Sequence, residues 1–351
     1  MTADLSAVPA LGGPDRAGIP VPEVRWRHRH LLDVDTLSAA ELELVMQTTD
    51  AMREVLARPI AKVPALRGRS VTILFYEAST RTRVSFEVAA KNLSADVVNI
   101  AAASSSVSKG ESLVDTIRTI EALGAQMLVI RHGTSGAPQL AAEVFGGAVL
   151  NGGDGWHAHP TQALLDLYTM RAHLPGGSLH GRKVVILGDI LHSRVARSNV
   201  WALTAAGADL WLCGPSTLLR GFEAWARSSG RVPGHGRFQV TSDVDAALAD
   251  ADVVMALRIQ RERMAGGLLP SLREYAARFG LTRERLALAK PDAIVMHPGP
   301  MNEGVEIAPE VAIDPRAVIT DQVTNGVAVR MALLYLLAGT LDRPAGGTAR
   351  G

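Results

Sequence analysis

The chain has 351 residues, more than one hydrophobic core usually supports, so the length predicts two domains of ordinary size. Its 36 Lys and Arg against 35 Asp and Glu leave a net charge of +1, which argues against binding to nucleic acid or to a membrane surface through bulk charge. The single cysteine, Cys213, excludes an internal disulfide framework and a cysteine-cluster metal site, and it suits a reducing cytoplasm.

The two ends of the chain are expected to be flexible tails. Residues 1–23 and 343–351 are rich in Ala, Gly and Pro and show no apolar periodicity. The sequence also shows no uncharged apolar run of roughly 18 residues and no signal-peptide pattern at its start, so no membrane association is expected.

The first half of the chain alternates strands with helices. A capping box at Ser38-Ala-Ala-Glu41 opens an amphipathic helix. Short apolar runs then predict strands, separated by helical segments, at 71–75, 97–100, 127–131 and 148–151. This alternation is typical of a parallel sheet covered by helices on both faces.

A glycine-rich segment at 152–160 precedes a long helix and marks the domain junction. A second alternating series follows, and an apolar helix from residue 325 to about 341 is expected to pack back against the first domain. The predicted fold is therefore α/β, with two doubly wound parallel-sheet domains joined by interdomain helices and an active site in the cleft. The predicted domains are residues 24–158 with 322–342, and residues 159–321.

The stretch from Phe75 to Glu87 has the composition of an anion-binding turn. It places hydroxyl groups and two guanidinium groups between a strand and a helix, at Ser79, Thr80, Arg81, Thr82 and Arg83. A helix N-terminus offers unpaired N–H groups and a positive dipole end, and arginine fits phosphate. The stretch therefore predicts a phosphate site, the alternative being an ordinary helix cap with surface arginines.

Polar residues also follow several other predicted strands. Because ligands of parallel α/β sheets bind at the carboxyl ends of strands, these residues predict a site for a molecule with several negative charges. They are Arg131, Asp189, Arg194, Arg258, Gln260 and His297. Taken singly, Arg131 and Arg258 could be surface ion-pair partners, His159 a structural histidine and Lys109 a solvated charge.

Three other kinds of site find little support. The run after the strand at 183–187 is Gly-Asp-Ile-Leu-His-Ser, which lacks the dinucleotide-binding glycine pattern. The pair His157 and His159 has no obvious third zinc ligand. No nucleophile elbow supports a Ser-His-Asp hydrolase.

Taken together, these motifs resemble the aspartate carbamoyltransferase family, in its catalytic chain. The resemblance runs in order from about Val24 to Gly339. The matching stretches are 75–83, 105–111, Ile130-Arg131-His132, His159-Pro-Thr-Gln162, Arg258-Ile-Gln260 and His297-Pro-Gly-Pro300.

The sister ornithine carbamoyltransferases share the Ser-Thr-Arg-Thr-Arg motif, so that motif indicates only carbamoyl phosphate. Three positions favour the aspartate enzymes: Glu77, where the ornithine enzymes usually have Lys; Thr161, where they often have Cys; and His297-Pro-Gly, where they have His-Cys-Leu-Pro. Arg258 and Gln260 also suit a second carboxylate better than an ammonium group. The alternatives left open are another amine acceptor, such as ornithine, and a non-catalytic scaffold subunit.

The resemblance implies a role for each site residue. Ser79, Thr80, Arg81 and Thr82 would hold the phosphate of carbamoyl phosphate. Thr82, Arg131 and His159 would polarise its carbonyl group. Gln162 and the loop at Pro298 and Gly299 would bind its amino group. Arg194, Arg258 and Gln260 would bind L-aspartate. No cofactor, metal or covalent intermediate is implied.

The resemblance also implies an assembly. Ser105 and Lys109 would reach the active site of a neighbouring subunit, with Lys109 contacting aspartate, in a cytoplasmic homotrimer. Ser108 and Gly299 depart from some relatives, which have Lys and Leu there. Whether trimers form a dodecamer with regulatory chains or with dihydroorotase stays open.

Overall fold

The computed structural model describes residues 24–101, 111–229, 237–260, 264 and 267–341. The predicted tails and the segment that contains Ser105 and Lys109 lie outside the described residues.

The first sheet is entirely parallel, in the strand order β2-β1-β3-β4. Its strands are β1 (Ser70–Phe75), β2 (Asp96–Ala101), β3 (Met127–His132) and β4 (Ala148–Asp154). The connecting helices are α2 (Thr80–Asn92), α3 (Leu113–Ala122) and α4 (Ala137–Val144). Strands β1, β3 and β4 are buried along almost their whole length, as expected for a parallel sheet with helices on both faces.

The second sheet is also parallel, in the order β7-β6-β5-β8-β9. Its strands are β5 (Lys183–Leu187), β6 (Asp209–Cys213), β7 (Phe238–Thr241), β8 (Val253–Ala256) and β9 (Ile294–Met296). The helices around it are α6 (Arg194–Ala205), α7 (Phe222–Ser229), α8 (Val244–Leu248), α9 (Leu272–Phe279), α10 (Arg283–Leu286) and α11 (Pro309–Ala312). The two parallel α/β units confirm the predicted fold class.

Two long helices lie between the two sheets, α5 (Pro160–His173) and α12 (Ile319–Leu341), and a third, α1 (Ala39–Leu56), packs on α12. Helix α12 packs on α1, α2 and α5. One continuous apolar cluster contains Ile73 of the first sheet, Ile186 of the second and Leu333 of α12. Helix α12 is long and apolar enough to cross a membrane, but 61% of its most apolar window is buried inside the protein. Packing between the sheets therefore accounts for its composition.

Several short elements escaped prediction. Strand β7 has four residues and helices α8, α10 and α11 have five or four, so each is too short for a reliable periodic pattern. Helix α12 begins at Ile319, before the predicted residue 325, because its first turns carry polar residues that interrupt the apolar pattern.

The strand orders place two topological switch points opposite each other. In the first sheet, β2 lies on one side of β1 and β3 on the other; in the second, β6 and β8 flank β5. A crevice forms at the carboxyl ends of strands where the winding direction reverses. Residues after β1, β3, β5 and β8 therefore meet in one place.

A buried carboxylate, that of Asp252, lies just before β8, at the amino ends of the strands of the second sheet and opposite the crevice. Asp252 accepts hydrogen bonds from Arg182 Nη1 (3.0 Å), the Lys183 backbone N–H (2.9 Å) and Lys290 Nζ (2.8 Å). These contacts outweigh burial and hold the pKa of Asp252 below its ordinary value.

We expect Asp252→Asn to lower the free energy of unfolding at pH 7 by about 1.5–3 kcal/mol, because hydrogen bonds to a charged group are lost. An acid with a lowered folded-state pKa contributes stability above its unfolded-state pKa, about 3.9, and loses it as the pH falls further. Urea unfolding should therefore show the difference from wild type narrowing below about pH 4.

Asp250→Asn is the matched control, since Asp250 is exposed in the same segment before β8. Loss of its carboxylate should change the free energy of unfolding by less than about 0.5 kcal/mol. A difference between wild type and Asp252→Asn that is constant from pH 7 to pH 3 would contradict the ionic role of Asp252.

Candidate active site

A cavity of about 630 Å³ lies at the two switch points, between the sheets. It gathers every described residue to which the family resemblance gave a role, whereas Arg83, which is exposed, and Asp189 do not line it. These residues are Ser79, Thr80, Arg81, Thr82, Arg131, His159, Gln162, Arg194, Arg258, Gln260, Pro298 and Gly299.

The first wall of the cavity is the N-terminus of α2. The helix has 13 residues and begins directly after the turn that follows β1, with Ser79 as its N-cap residue. The Ser79 hydroxyl donates a hydrogen bond to Thr82 Oγ1 at 3.0 Å, and the Thr82 side chain is buried. The backbone N–H groups of this first turn have no partner within the helix, so hydroxyls and N–H groups are both available to an anion.

Two arginines from different domains approach each other across the cavity. Burial, and secondly the charge of Arg258, lower the pKa of Arg81. Gly299 has a left-handed φ of +67°, and a Cβ placed there would lie 2.6 Å from the Arg81 guanidinium carbon. Glycine thus allows the 297–300 loop to lie against Arg81, whereas a larger residue would displace that side chain.

Glu77 joins two other arginines at the domain boundary. Both carboxylate oxygens of Glu77 accept from Arg194 Nη2 at 2.6 Å, and Arg131 Nη2 lies 3.6 Å from Glu77 Oε1. Arg131 also donates to the Gly152 carbonyl at 3.0 Å. A Cβ at Gly153 would lie 3.0 Å from Arg131 and 3.3 Å from Arg194, so a glycine there gives both guanidinium groups room.

His159 is held by residues from both domains. Its backbone N–H donates to Ser198 Oγ at 3.0 Å, and that hydroxyl donates to Asp33 Oδ1 at 2.7 Å. Burial raises the pKa of Asp33 to about 6, against the opposing effect of the Ser198 hydrogen bond. His159 therefore has a fixed place at the start of α5, with its side chain 4% exposed.

The loop after β9 is fixed by its own histidine. His297 Nδ1 accepts the Gly299 backbone N–H at 2.8 Å, and its Nε2 faces Glu306 Oε1 at 3.3 Å. Because Nδ1 accepts, Nε2 carries the proton and donates to Glu306. His297 thus lines the cavity and also orients the backbone of Pro298 and Gly299.

Asp189 fixes the loop that follows β5 in a similar way. It accepts hydrogen bonds from the backbone N–H and the Nδ1 of His192, at 3.2 and 2.9 Å, and from the Gln260 backbone N–H at 3.3 Å. Burial raises its pKa above the ordinary value. The carboxylate ties the loop that leads to Arg194 to the loop that carries Arg258 and Gln260.

Sequence reasoning missed four contributors to this cavity or its support. Arg330 of α12 lines it, donates to Ser85 Oγ at 2.9 Å and lies 5.0 Å from the Phe86 ring centre. Gln322 also lines the cavity, and Asp166 supports it through a hydrogen bond from Gln322. For Glu77, the sequence indicated substrate preference but not its ion pairs. Arg330 could have been found, because it is the lone charge in the apolar run from 325 to 341.

The cavity is strongly cationic. Among the residues that the structure describes, five arginines line it against one carboxylate, that of Glu77; the five are Arg81, Arg131, Arg194, Arg258 and Arg330. Low-dielectric walls strengthen the attraction of such a cluster for anions. In the described part of the chain, no group of three or more His, Cys, Asp or Glu has an arrangement that could hold a metal ion.

Two family models match the chain in sequence order. Residues 29–172 match the carbamoyl phosphate-binding domain of aspartate/ornithine carbamoyltransferases, and residues 180–337 match their aspartate/ornithine-binding domain. The "aspartate carbamoyltransferase catalytic subunit" of Chloroflexus aggregans is 59% identical over 313 residues, covering 89% of this chain and 99% of that protein. The protein of the same name from Roseiflexus sp. (strain RS-1) is 58% identical, covering 90% and 96%.

Solved structures show the same architecture. Aspartate transcarbamoylase from Trypanosoma cruzi in complex with N-(phosphonacetyl)-L-aspartic acid has a TM-score of 0.76 at 30% identity, covering 90% of this chain and 97% of that one. Ornithine carbamoyltransferase from Pyrococcus furiosus also has a TM-score of 0.76, at 27% identity, covering 90% and 99%. With both of its domains matched and relatives nearly 60% identical over their whole length, the chain belongs to the aspartate/ornithine carbamoyltransferase family.

Proposed function

We propose that this protein transfers the carbamoyl group of carbamoyl phosphate to the α-amine of L-aspartate, giving N-carbamoyl-L-aspartate and phosphate for pyrimidine synthesis. The observation that carries the proposal is the convergence of five arginines and the α2 N-terminus on one cavity between the two domains. Relatives that are 58–59% identical bear the name of the aspartate enzyme.

The donor fits the first-domain side of the cavity. Ser79, Thr80, Arg81 and the first-turn N–H groups of α2 bind the phosphate of carbamoyl phosphate. Thr82, Arg131 and His159 surround its carbonyl oxygen. These donors are fixed before substrate arrives, so they stabilise the negative charge that grows on this oxygen during attack.

The acceptor fits the second-domain side. Arg258 binds the β-carboxylate of aspartate, with Gln260 beside it, and Arg194 binds near the α-carboxylate. Each arginine can form a paired, charge-assisted hydrogen bond with a carboxylate. A cationic ornithine side chain would instead face Arg258, which like-charge repulsion disfavours.

The reaction needs no base from the protein. The α-amine nitrogen attacks the carbonyl carbon, forming the C–N bond and a tetrahedral oxyanion. Collapse breaks the bond between that carbon and the bridging oxygen, so phosphate leaves with the electron pair and accepts the amine proton. The rate enhancement comes from holding two anions together in one orientation and neutralising their charge.

The acceptor can be tested directly with purified protein. We expect carbamoyl phosphate to be consumed with L-aspartate, and we expect no comparable rate with ornithine or putrescine, because neither offers a second carboxylate to Arg258. Product formation is followed by colorimetric detection of the ureido group. Turnover with ornithine and not with aspartate would exclude the proposed acceptor.

We expect Arg258→Gln to raise KM for aspartate by about 10- to 100-fold, since a charge-assisted hydrogen bond is lost. KM for carbamoyl phosphate should change less than about threefold, because other residues bind the phosphate. Steady-state kinetics at saturating co-substrate measures both.

Arg273→Gln is the matched control, because Arg273 is an exposed arginine on α9 of the same domain and does not line the cavity. Equal increases in both KM values for Arg258→Gln would show that Arg258 does not select the acceptor.

We further propose a cytoplasmic homotrimer in which Ser105 and Lys109 complete the site of a neighbouring subunit, with Lys109 contacting aspartate. Two observations support an interface near this segment. The strand β2 that precedes it is an edge strand with Val98 49% exposed, and α2 exposes Val84. The single cysteine, buried in the second domain, fits the proposed compartment.

A shared site predicts complementation between inactive variants. Lys109→Ala and Arg81→Ala chains, each inactive alone, should regain activity when refolded together, because some hybrid sites receive an intact Lys109 and an intact Arg81. Activity is measured on hybrids separated by a charged tag, with each variant refolded alone as control. Verified hybrids without activity would exclude sharing, and native mass measurement gives the assembly.

A further inference from the structure

The middle of α5 contains a fully buried carboxylate that faces three side-chain amides. Asp166 Oδ1 accepts from Gln162 Nε2 at 2.9 Å and from Gln322 Nε2 at 2.8 Å, and Oδ2 accepts from Asn199 Nδ2 at 2.9 Å. These three amides come from α5, α6 and α12, so the carboxylate lies where the helices of both domains meet.

A carboxylate accepts hydrogen bonds and cannot donate them, so each amide must turn its nitrogen toward Asp166. The Gln162 side chain lines the cavity, and with its nitrogen held by Asp166 its oxygen remains to accept a hydrogen bond there. Burial raises the pKa of Asp166 to about 6, against the opposing effect of the three amide hydrogen bonds and, to a smaller extent, of the charge of Arg330. The group is therefore ionised at the slightly alkaline pH of an assay.

The same carboxylate also fixes the 297–299 loop. Gln322 donates to Asp166 through its nitrogen, and its Oε1 accepts the His297 backbone N–H at 2.9 Å. His297 in turn accepts the Gly299 N–H at 2.8 Å. A continuous chain of hydrogen bonds therefore runs from Asp166 to the backbone beside Pro298.

We propose that Asp166 is a positioning residue that sets both hydrogen-bond acceptors for the amino group of the donor substrate, the Gln162 Oε1 and the Pro298 carbonyl. The inference rests on the proposed function, and it gives Asp166 the role of distinguishing a donor that carries NH₂ from one that carries CH₃. If the Gln162 side-chain amide were flipped, its N–H would face the N–H of the donor's amino group, and the preference for a donor with NH₂ would be lost.

The test compares carbamoyl phosphate with acetyl phosphate, which has a methyl group in place of the amino group. Calorimetry at pH 8 measures the dissociation constant of each for wild type and for Asp166→Ala. We expect the variant to bind carbamoyl phosphate about 10- to 100-fold more weakly, and acetyl phosphate less than about threefold more weakly, because only the amino contacts depend on Asp166. Asp166→Asn, which keeps one acceptor oxygen for Gln162, should recover part of the preference.

Asn199→Ala is the matched control: it removes the donor on Oδ2, which leads neither to Gln162 nor to the loop, and should leave the preference unchanged. If Asp166→Ala does not fold, Gln322→Leu breaks the link to His297 and should also reduce the preference. Equal weakening toward both phosphates, or an unchanged preference in the folded variants, would overturn the inference. Because binding is measured without aspartate, failure of turnover in wild type would count against the proposed acceptor and not against this role of Asp166.

Discussion

The structure depends on holding like charges together at the boundary between its two sheets. Guanidinium groups of Arg81, Arg131, Arg194 and Arg258 converge from both sheets, although their mutual repulsion and loss of water are unfavourable. Glu77 offsets part of this cost through Arg194 and Arg131. The positive charge that Glu77 does not neutralise attracts anionic substrates. Binding of two anions therefore reduces the repulsion among the arginines.

Backbone geometry makes this convergence possible. The arginines follow the carboxyl ends of parallel strands at two switch points, where the sheets themselves are rigid and buried. Glycines occupy the places of closest approach: Gly153 lies against Arg131 and Arg194, and Gly299 against Arg81. Side chains there would push the guanidinium groups apart, so local backbone freedom and long-range charge placement are parts of one arrangement.

The sequence predicted the features that depend on local pattern. Alternating apolar runs indicated two parallel sheets, and the hydroxyl-arginine turn after β1 indicated an anion site, because both follow from neighbouring residues. Pairings across the domain boundary were not predictable in this way. The contacts of Glu77 with Arg194, and of Asp166 with Gln322, join residues 117 and 156 positions apart. Only the packing of α12 on α5, and of the turn after β1 against the start of α6, brings them together.

Helix α5 holds several residues of the site in fixed positions relative to one another. Its N-cap residue is His159, and the helix presents Gln162 to the cavity and carries Asp166 one turn further on. Its N-terminal residue is tied through Ser198 to Asp33, and its middle is tied through Gln322 to the 297–299 loop. His159, which would help to polarise the carbonyl group, and Gln162, which would help to receive the amino group of the donor, thus sit on one element packed between the two domains. The phosphate-binding turn and the acceptor arginines belong to elements on either side of α5, so a small shift of either sheet would change the distance between the two substrates while His159 and Gln162 kept their positions relative to each other.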